Sequence, residues 1–63
     1  MKYPTEDFID AIRYHDGPPT TAQIAEAVSC EHDTAYKRLK QLRENNRVSS
    51  RKVGNTLIWS VTE

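Results

Sequence analysis

The chain has 63 residues, 37% of them hydrophobic and 29% charged, with nine Lys and Arg balanced by nine Asp and Glu. That length allows a single domain, residues 1–63, near the lower limit for folding without a metal, disulfides or a partner. It excludes a membrane protein, because no apolar run approaches the about 20 residues that span a bilayer, and MKYPTEDFID lacks the apolar centre of a signal peptide.

Thr5 has an N-cap side chain, and Glu6 and Asp7 follow as first-turn acids that suit the helix dipole. Phe8, Ile9, Ala11, Ile12 and His15 keep a helical spacing, so a first helix is expected from Glu6 to His15, stopped by Gly17 and Pro18-Pro19. The prolines permit only an extended connection, at best a minimal edge strand near residues 18–20. Thr20 with Gln23 three residues on is a capping box that opens a second helix. Its buried face is expected to hold Ile24, Ala27 and Val28, with Ala25 small enough for a close helix crossing. Ser29-Cys30-Glu31 makes the turn, and Glu31 caps the next helix.

In the third helix, expected over 32–45, Ala35, Leu39 and Leu42 form a buried i, i+4, i+7 stripe. Asp33, Lys37, Lys40 and Glu44 then lie on the opposite face. Asn46 sits where a left-handed stop is needed. Val48–Val53 and Thr56–Val61 are β-rich runs around Gly54-Asn55, a two-residue hairpin signal. Centring the turn there pairs Val53 with Thr56, Lys52 with Leu57, Arg51 with Ile58, Ser50 with Trp59 and Val48 with Val61. Alternation puts Val48, Ser50, Leu57, Trp59 and Val61 on the face toward the helices, and Ser49, Arg51, Val53, Ile58 and Ser60 on the other. Trp59 and Phe8 are expected in the core; Tyr3 and Tyr14 are undetermined.

The zero net charge conceals a division. Residues 1–31 carry two bases against six acids, a balance of −4, and residues 32–63 carry seven bases against three acids, a balance of +4. Such a dipole turns the second half toward a polyanion; the plainer reading is an uneven scatter of charge over solvated faces. Cys30, the lone cysteine, has no disulfide partner within the chain, which suits a reducing cytoplasm. The chain reads as cytoplasmic and as complete from Met1. Cys30, His32 and His15 keep no recognised ligand spacing, so no metal is expected. Paired carboxylates, a nucleophile with its base and a glycine-rich phosphate loop are all missing, so no cofactor and no enzyme are expected.

The segment TTAQIAEAVSCEHDTAYKRLKQLRENN, followed by RKVGNTLIWSV, resembles the winged helix-turn-helix of bacterial and archaeal transcription regulators of the MarR- and ArsR-like kind, in an archaeal-like wording. The likeness covers about Thr20 to Val61. Two departures stand out: Ser-Cys-Glu replaces the usual Gly-Val-Ser turn, and no flanking helices remain for a dimer or effector site. The resemblance implies an α+β fold of three helices followed by a two-stranded antiparallel wing. It also implies a sequence-specific regulator that binds double-stranded DNA and acts as a repressor. Helix 32–45 would enter the major groove and the 48–61 wing would rest on the adjacent backbone or minor groove.

On that reading the contacts are His32, Asp33, Thr34, Tyr36, Lys37, Lys40, Arg43, Arg51 and Lys52. Lys37 is the expected base reader, donating to guanine O6 and N7. Tyr36 serves a phosphate or a thymine methyl, and Lys40 and Arg43 are phosphate clamps. Asp33 reads cytosine N4 or merely offsets the helix dipole. Arg51 and Lys52 flank the wing tip, where the competing role is protection of an edge strand. Arg38 and Arg47 point sideways, toward either DNA or the acidic first half. One module buries only about 600–1,000 Å² on DNA, so a homodimer on a palindromic site is expected, through Ile9, Tyr14 or Ile58. The rival reading is a winged-helix protein-interaction module without DNA binding, favoured by the neutral total charge and by Asp33 and Glu44 on the outer helix face.

Overall fold

A computed structural model describes residues 3–62. The order is α1 (Thr5–Arg13), α2 (Thr21–Val28), α3 (His32–Glu44), β1 (Val48–Val53) and β2 (Thr56–Val61). Three helices and one antiparallel ribbon enclose a single core of Phe8, Ile9, Ile12, Ile24, Ala25, Ala35, Leu39, Leu42, Val48 and Trp59. No described helix is long and apolar enough to cross a membrane.

The start of α1 differs from expectation. Pro4 occupies the N-cap with no side-chain cap, and Thr5 is already helical. The Thr5 hydroxyl is engaged elsewhere, accepting from Nη2 of Arg38 at 3.0 Å. The helix also stops at Arg13, short of His15. His15 has left it to donate from Nδ1 to the Gly17 carbonyl at 3.0 Å, and Gly17 takes φ +87°, which a side chain would resist.

The capping box of α2 is complete: Gln23 N–H donates to Thr20 Oγ1 at 3.1 Å and Thr20 N–H to Gln23 Oε1 at 2.9 Å. Its buried stripe, however, is Thr21, Ile24 and Ala25, with Val28 half-buried and Ala27 exposed. Thr21, Ile24, Ala25 and Val28 keep an i, i+3, i+4, i+7 spacing, which rotates Ala27 out of the core. A buried threonine displaced an alanine because Thr21 has a partner in the core.

Helices α2 and α3 end in the same device. Ser29 adopts φ +68°, and Cys30 N–H reaches the Ala25 carbonyl (2.9 Å) while Ser29 N–H reaches that of Glu26 (3.2 Å). Asn46 adopts φ +59°, with Arg47 N–H on Leu42 (2.8 Å) and Asn46 N–H on Arg43 (3.0 Å). Both are Schellman closures, which satisfy the last helical carbonyls through one left-handed residue. The asparagine was legible from sequence. The serine was not, since it stands where glycine is favoured.

The hairpin register is the expected one at every position, with Ser49 opposite Ser60 completing it. The third strand reduces to a single bridge between Thr20 and Ile58, beside which Trp59 N–H donates to the Pro19 carbonyl at 3.0 Å. Trp59 is fully buried, and its ring N–H donates to Thr21 Oγ1 at 2.8 Å. One residue thus ties β2 to the Pro18-Pro19 connection by its backbone and to α2 by its side chain.

Two substitutions test these local devices. Replacing Ser29 by glycine removes a left-handed side chain from an exposed position and is expected to stabilise by about 1 kcal/mol, read as a rise of roughly 4–8 °C in the melting midpoint. Thr21→Val keeps the shape but strands the indole N–H, and is expected to cost about 1–3 kcal/mol in urea unfolding monitored by Trp59 fluorescence.

Candidate nucleic-acid interface

The side chains of α3 divide into sectors set by the helical angle. Ala35, Leu39 and Leu42 face the core. Arg38, on one flank, turns back to α1: its Nη1 donates to the Tyr3 carbonyl at 2.7 Å, and its guanidinium lies 5.1 Å from the centre of the Phe8 ring. Thr34 precedes Arg38 by one turn on this same flank and is half-buried, so it stands apart from the other candidate contacts. Arg47, just past the helix, lies 3.8 Å from Glu6, an exposed pair worth little in stability.

The opposite flank faces the ribbon. Near the end of α3, Arg43 Nη1 donates to Ser50 Oγ on β1 at 2.7 Å, and the guanidinium lies 5.7 Å from the centre of the Trp59 ring. One turn earlier, Lys40 Nζ is 5.5 Å from the ring centre of half-buried Tyr36. His32 and Tyr36 then line one wall of a cleft of about 510 Å³. Its other walls are Thr20, Thr21 and Ala22 at the start of α2, and Asn55, Thr56 and Leu57 at the wing tip. The wing tip and the first half of α3 therefore face each other across this cleft.

Asp33, Lys37 and Lys40 are exposed on the outer surface of α3. Asp33, its side chain 93% exposed, lies 3.9 Å from His32 Nδ1, a pairing that carries charge only when the imidazole is protonated. The two wing cations part company. Lys52 shares the inner sheet face with Leu57, its cross-strand neighbour and a wall of the cleft. Arg51 is on the outer face, opposite Ile58, along a groove with Pro18 and Ser60. His32 and Tyr36 thus share the cleft with the wing tip, Lys37, Lys40 and Lys52 are exposed, and Arg51 is on the opposite face of the ribbon from Lys52.

Sequence reasoning passed over Thr20, Thr21, Ala22 and Asn55 as cleft residues. The capping box located the start of α2, but nothing in it says that the wing folds over that start. Cys30 is half-buried at the α2–α3 turn, and burial raises its thiol pKa, opposed by nearby Arg38 and aided by Glu31. Its thiolate is therefore scarce at neutral pH, which suits a packing role better than a reactive one. No group of three potential metal ligands occurs among the described residues.

Neither a family model nor a curated protein matches the chain. Solved structures do. The Zalpha domain of Carassius auratus PKZ, in complex with Z-DNA, superposes with a TM-score of 0.80 at 21% identity, covering 92% of this chain and 90% of that one. ZitR of Lactococcus lactis, a zinc-responsive MarR family member, gives 0.73 at 26% identity over 94% of this chain and 41% of that chain. Human N-acetylserotonin methyltransferase, in complex with SAM, gives 0.86 at 18% identity over 94% of this chain but only 17% of its own. The chain spans less than half of ZitR and a small part of the methyltransferase, so the likeness is to a module within them. With three helices, a capped turn pair and a Trp59-anchored ribbon in this order, the chain is a winged helix-turn-helix domain.

Proposed function

We propose that the domain binds double-stranded DNA as a sequence-specific transcriptional regulator, a repressor, in the cytoplasm. The observation that carries this reading is the cleft shared by the wing tip and the first half of α3, together with the exposure of Lys37, Lys40 and Lys52. Two solved neighbours, the Zalpha domain and ZitR, have structures with DNA, which supports a nucleic-acid partner.

In this reading α3 lies in the major groove. Lys37, at the centre of its outer face, donates to a guanine edge. Lys40, steadied over the Tyr36 ring, meets a phosphate. The strand passing from groove to wing crosses the cleft, where Thr20, Tyr36 and Asn55 supply neutral donors to its backbone. Lys52 and Arg51 then close on the backbone or minor groove from the two faces of the ribbon. Repression needs no more than occlusion, which suits so small a module. Specificity requires two copies on an inverted repeat. Ile9 is removed from the candidate dimer contacts, being buried at 2% exposure, whereas Tyr14 is 78% exposed.

A second reading is docking on another protein through the same surface, favoured by exposed Asp33 and Glu44 amid the lysines.

Anisotropy of a labelled random-sequence duplex tests the choice. With three phosphates neutralised by Lys40, Arg51 and Lys52, affinity is expected to fall roughly 40-fold between 50 and 200 mM salt. The Lys37→Ala, Arg51→Ala double variant is expected to lose binding while melting like the wild type. Absence of a complex at micromolar protein in low salt would transfer the surface to the protein-docking reading. Selection from a random duplex pool would return an inverted repeat if two copies bind together.

A further inference from the structure

Arg43 has the charge and exposure of a phosphate clamp, yet its guanidinium is engaged within the domain. It donates at 2.7 Å to Ser50, lies 5.7 Å from the centre of the Trp59 ring, and these two residues face each other across β1 and β2. Trp59 in turn donates to Thr21 at the start of α2. Arg43, Ser50, Trp59 and Thr21 therefore form one chain of contacts that runs from the last turn of α3, across the ribbon, to α2. Every element that would meet DNA is joined by it. We infer that Arg43 is a positioning residue that sets the angle between α3 and the wing, rather than a group that touches DNA.

The chemistry of the side chain fits this role better than that of a lysine. A planar guanidinium hydrogen-bonds in its own plane while presenting its face to an aromatic ring, so both contacts hold it in one orientation. A lysine at position 43 would keep the charge and lose the plane. The wing is a two-stranded ribbon with little stability of its own, so a single strut on its inner face has leverage over the tip. If the wing is no longer held at that angle, its contacts form only at the cost of ordering the ribbon, so affinity falls while Lys40, Arg51 and Lys52 still neutralise the same phosphates.

This inference rests on the DNA-binding reading for its consequence, but not for its test in the free protein. Affinity for a 20-base-pair random duplex is to be measured across salt concentrations for wild type, Arg43→Gln, Arg43→Lys, Ser50→Ala and Arg51→Ala, alongside amide hydrogen exchange of the unbound proteins. A strut predicts that Arg43→Gln and Arg43→Lys both weaken binding, roughly tenfold, with the log–log salt slope unchanged. Arg51→Ala should flatten that slope by about 0.9, as expected for a lost phosphate contact. Amides of β1 and β2 should exchange faster in Arg43→Gln and Ser50→Ala alike, and the double variant should be no worse than either. Recovery of wild-type affinity by Arg43→Lys, or a flattened slope in Arg43→Gln, would overturn the inference and restore the clamp. If no variant or wild type binds duplex, the DNA reading fails. The exchange data then decide the strut alone: unaltered protection of the ribbon in Arg43→Gln sinks it.

Discussion

Trp59 holds together three pieces of chain that would otherwise have little reason to meet. Its backbone N–H takes the Pro19 carbonyl, its indole N–H takes Thr21 Oγ1, and its ring is fully buried among residues of all three helices and β1. A hairpin by itself is marginal in water, and an eight-residue helix such as α2 is too short to persist alone. Each is stable here because it is packed on the other through the same side chain. That contact also creates the cleft, since drawing β2 toward Thr21 is what brings the wing tip beside the first half of α3.

The cationic residues of the second half follow a division of labour. Arg38 hydrogen-bonds to Tyr3 and Thr5, Arg43 lies against Ser50 and Trp59, and Arg47 pairs with Glu6 at the surface. Lys37, Lys40 and Lys52 remain exposed, as does Arg51 on the outer face of the ribbon. Guanidinium groups suit the first task because their fixed forks lose less freedom for each hydrogen bond made, and ammonium groups suit the second as well-hydrated point charges. Two of the seven cations of this half thus brace the domain. The chain as a whole is neutral, so any affinity for a polyanion would depend on geometry more than on bulk attraction.

The left-handed serine at the α2–α3 turn illustrates how little slack so small a domain has. Ser29 closes α2 in a conformation that disfavours its side chain, but the closure sends Cys30 N–H back to Ala25 and starts α3 within two residues. A looser turn would relieve Ser29 and move α3 relative to the core stripe of Ala35, Leu39 and Leu42. The angle between the two helices is therefore set by hydrogen bonds, at a local conformational cost of about 1 kcal/mol.

Periodicity and turn chemistry by themselves determined the five elements, the register of the hairpin and most of the core. The stripe Ala35, Leu39, Leu42, the Thr20–Gln23 box and Gly54-Asn55 are local signals, and each acts within a few residues of its own position. What they could not determine were matters settled between distant segments. Thr5 reads as a cap until Arg38, thirty-three positions away, claims its hydroxyl. Ala27 reads as core until Thr21 rotates the stripe to meet Trp59. Arg43 reads as a phosphate clamp until Ser50 and the indole are found beneath it, and the pleat that separates Arg51 from Lys52, though legible, does not say where the ribbon lies against α3. Helix and strand propensities are properties of neighbours in sequence, whereas the partner of a buried polar group is a property of the folded interior, and only the tertiary structure could choose it.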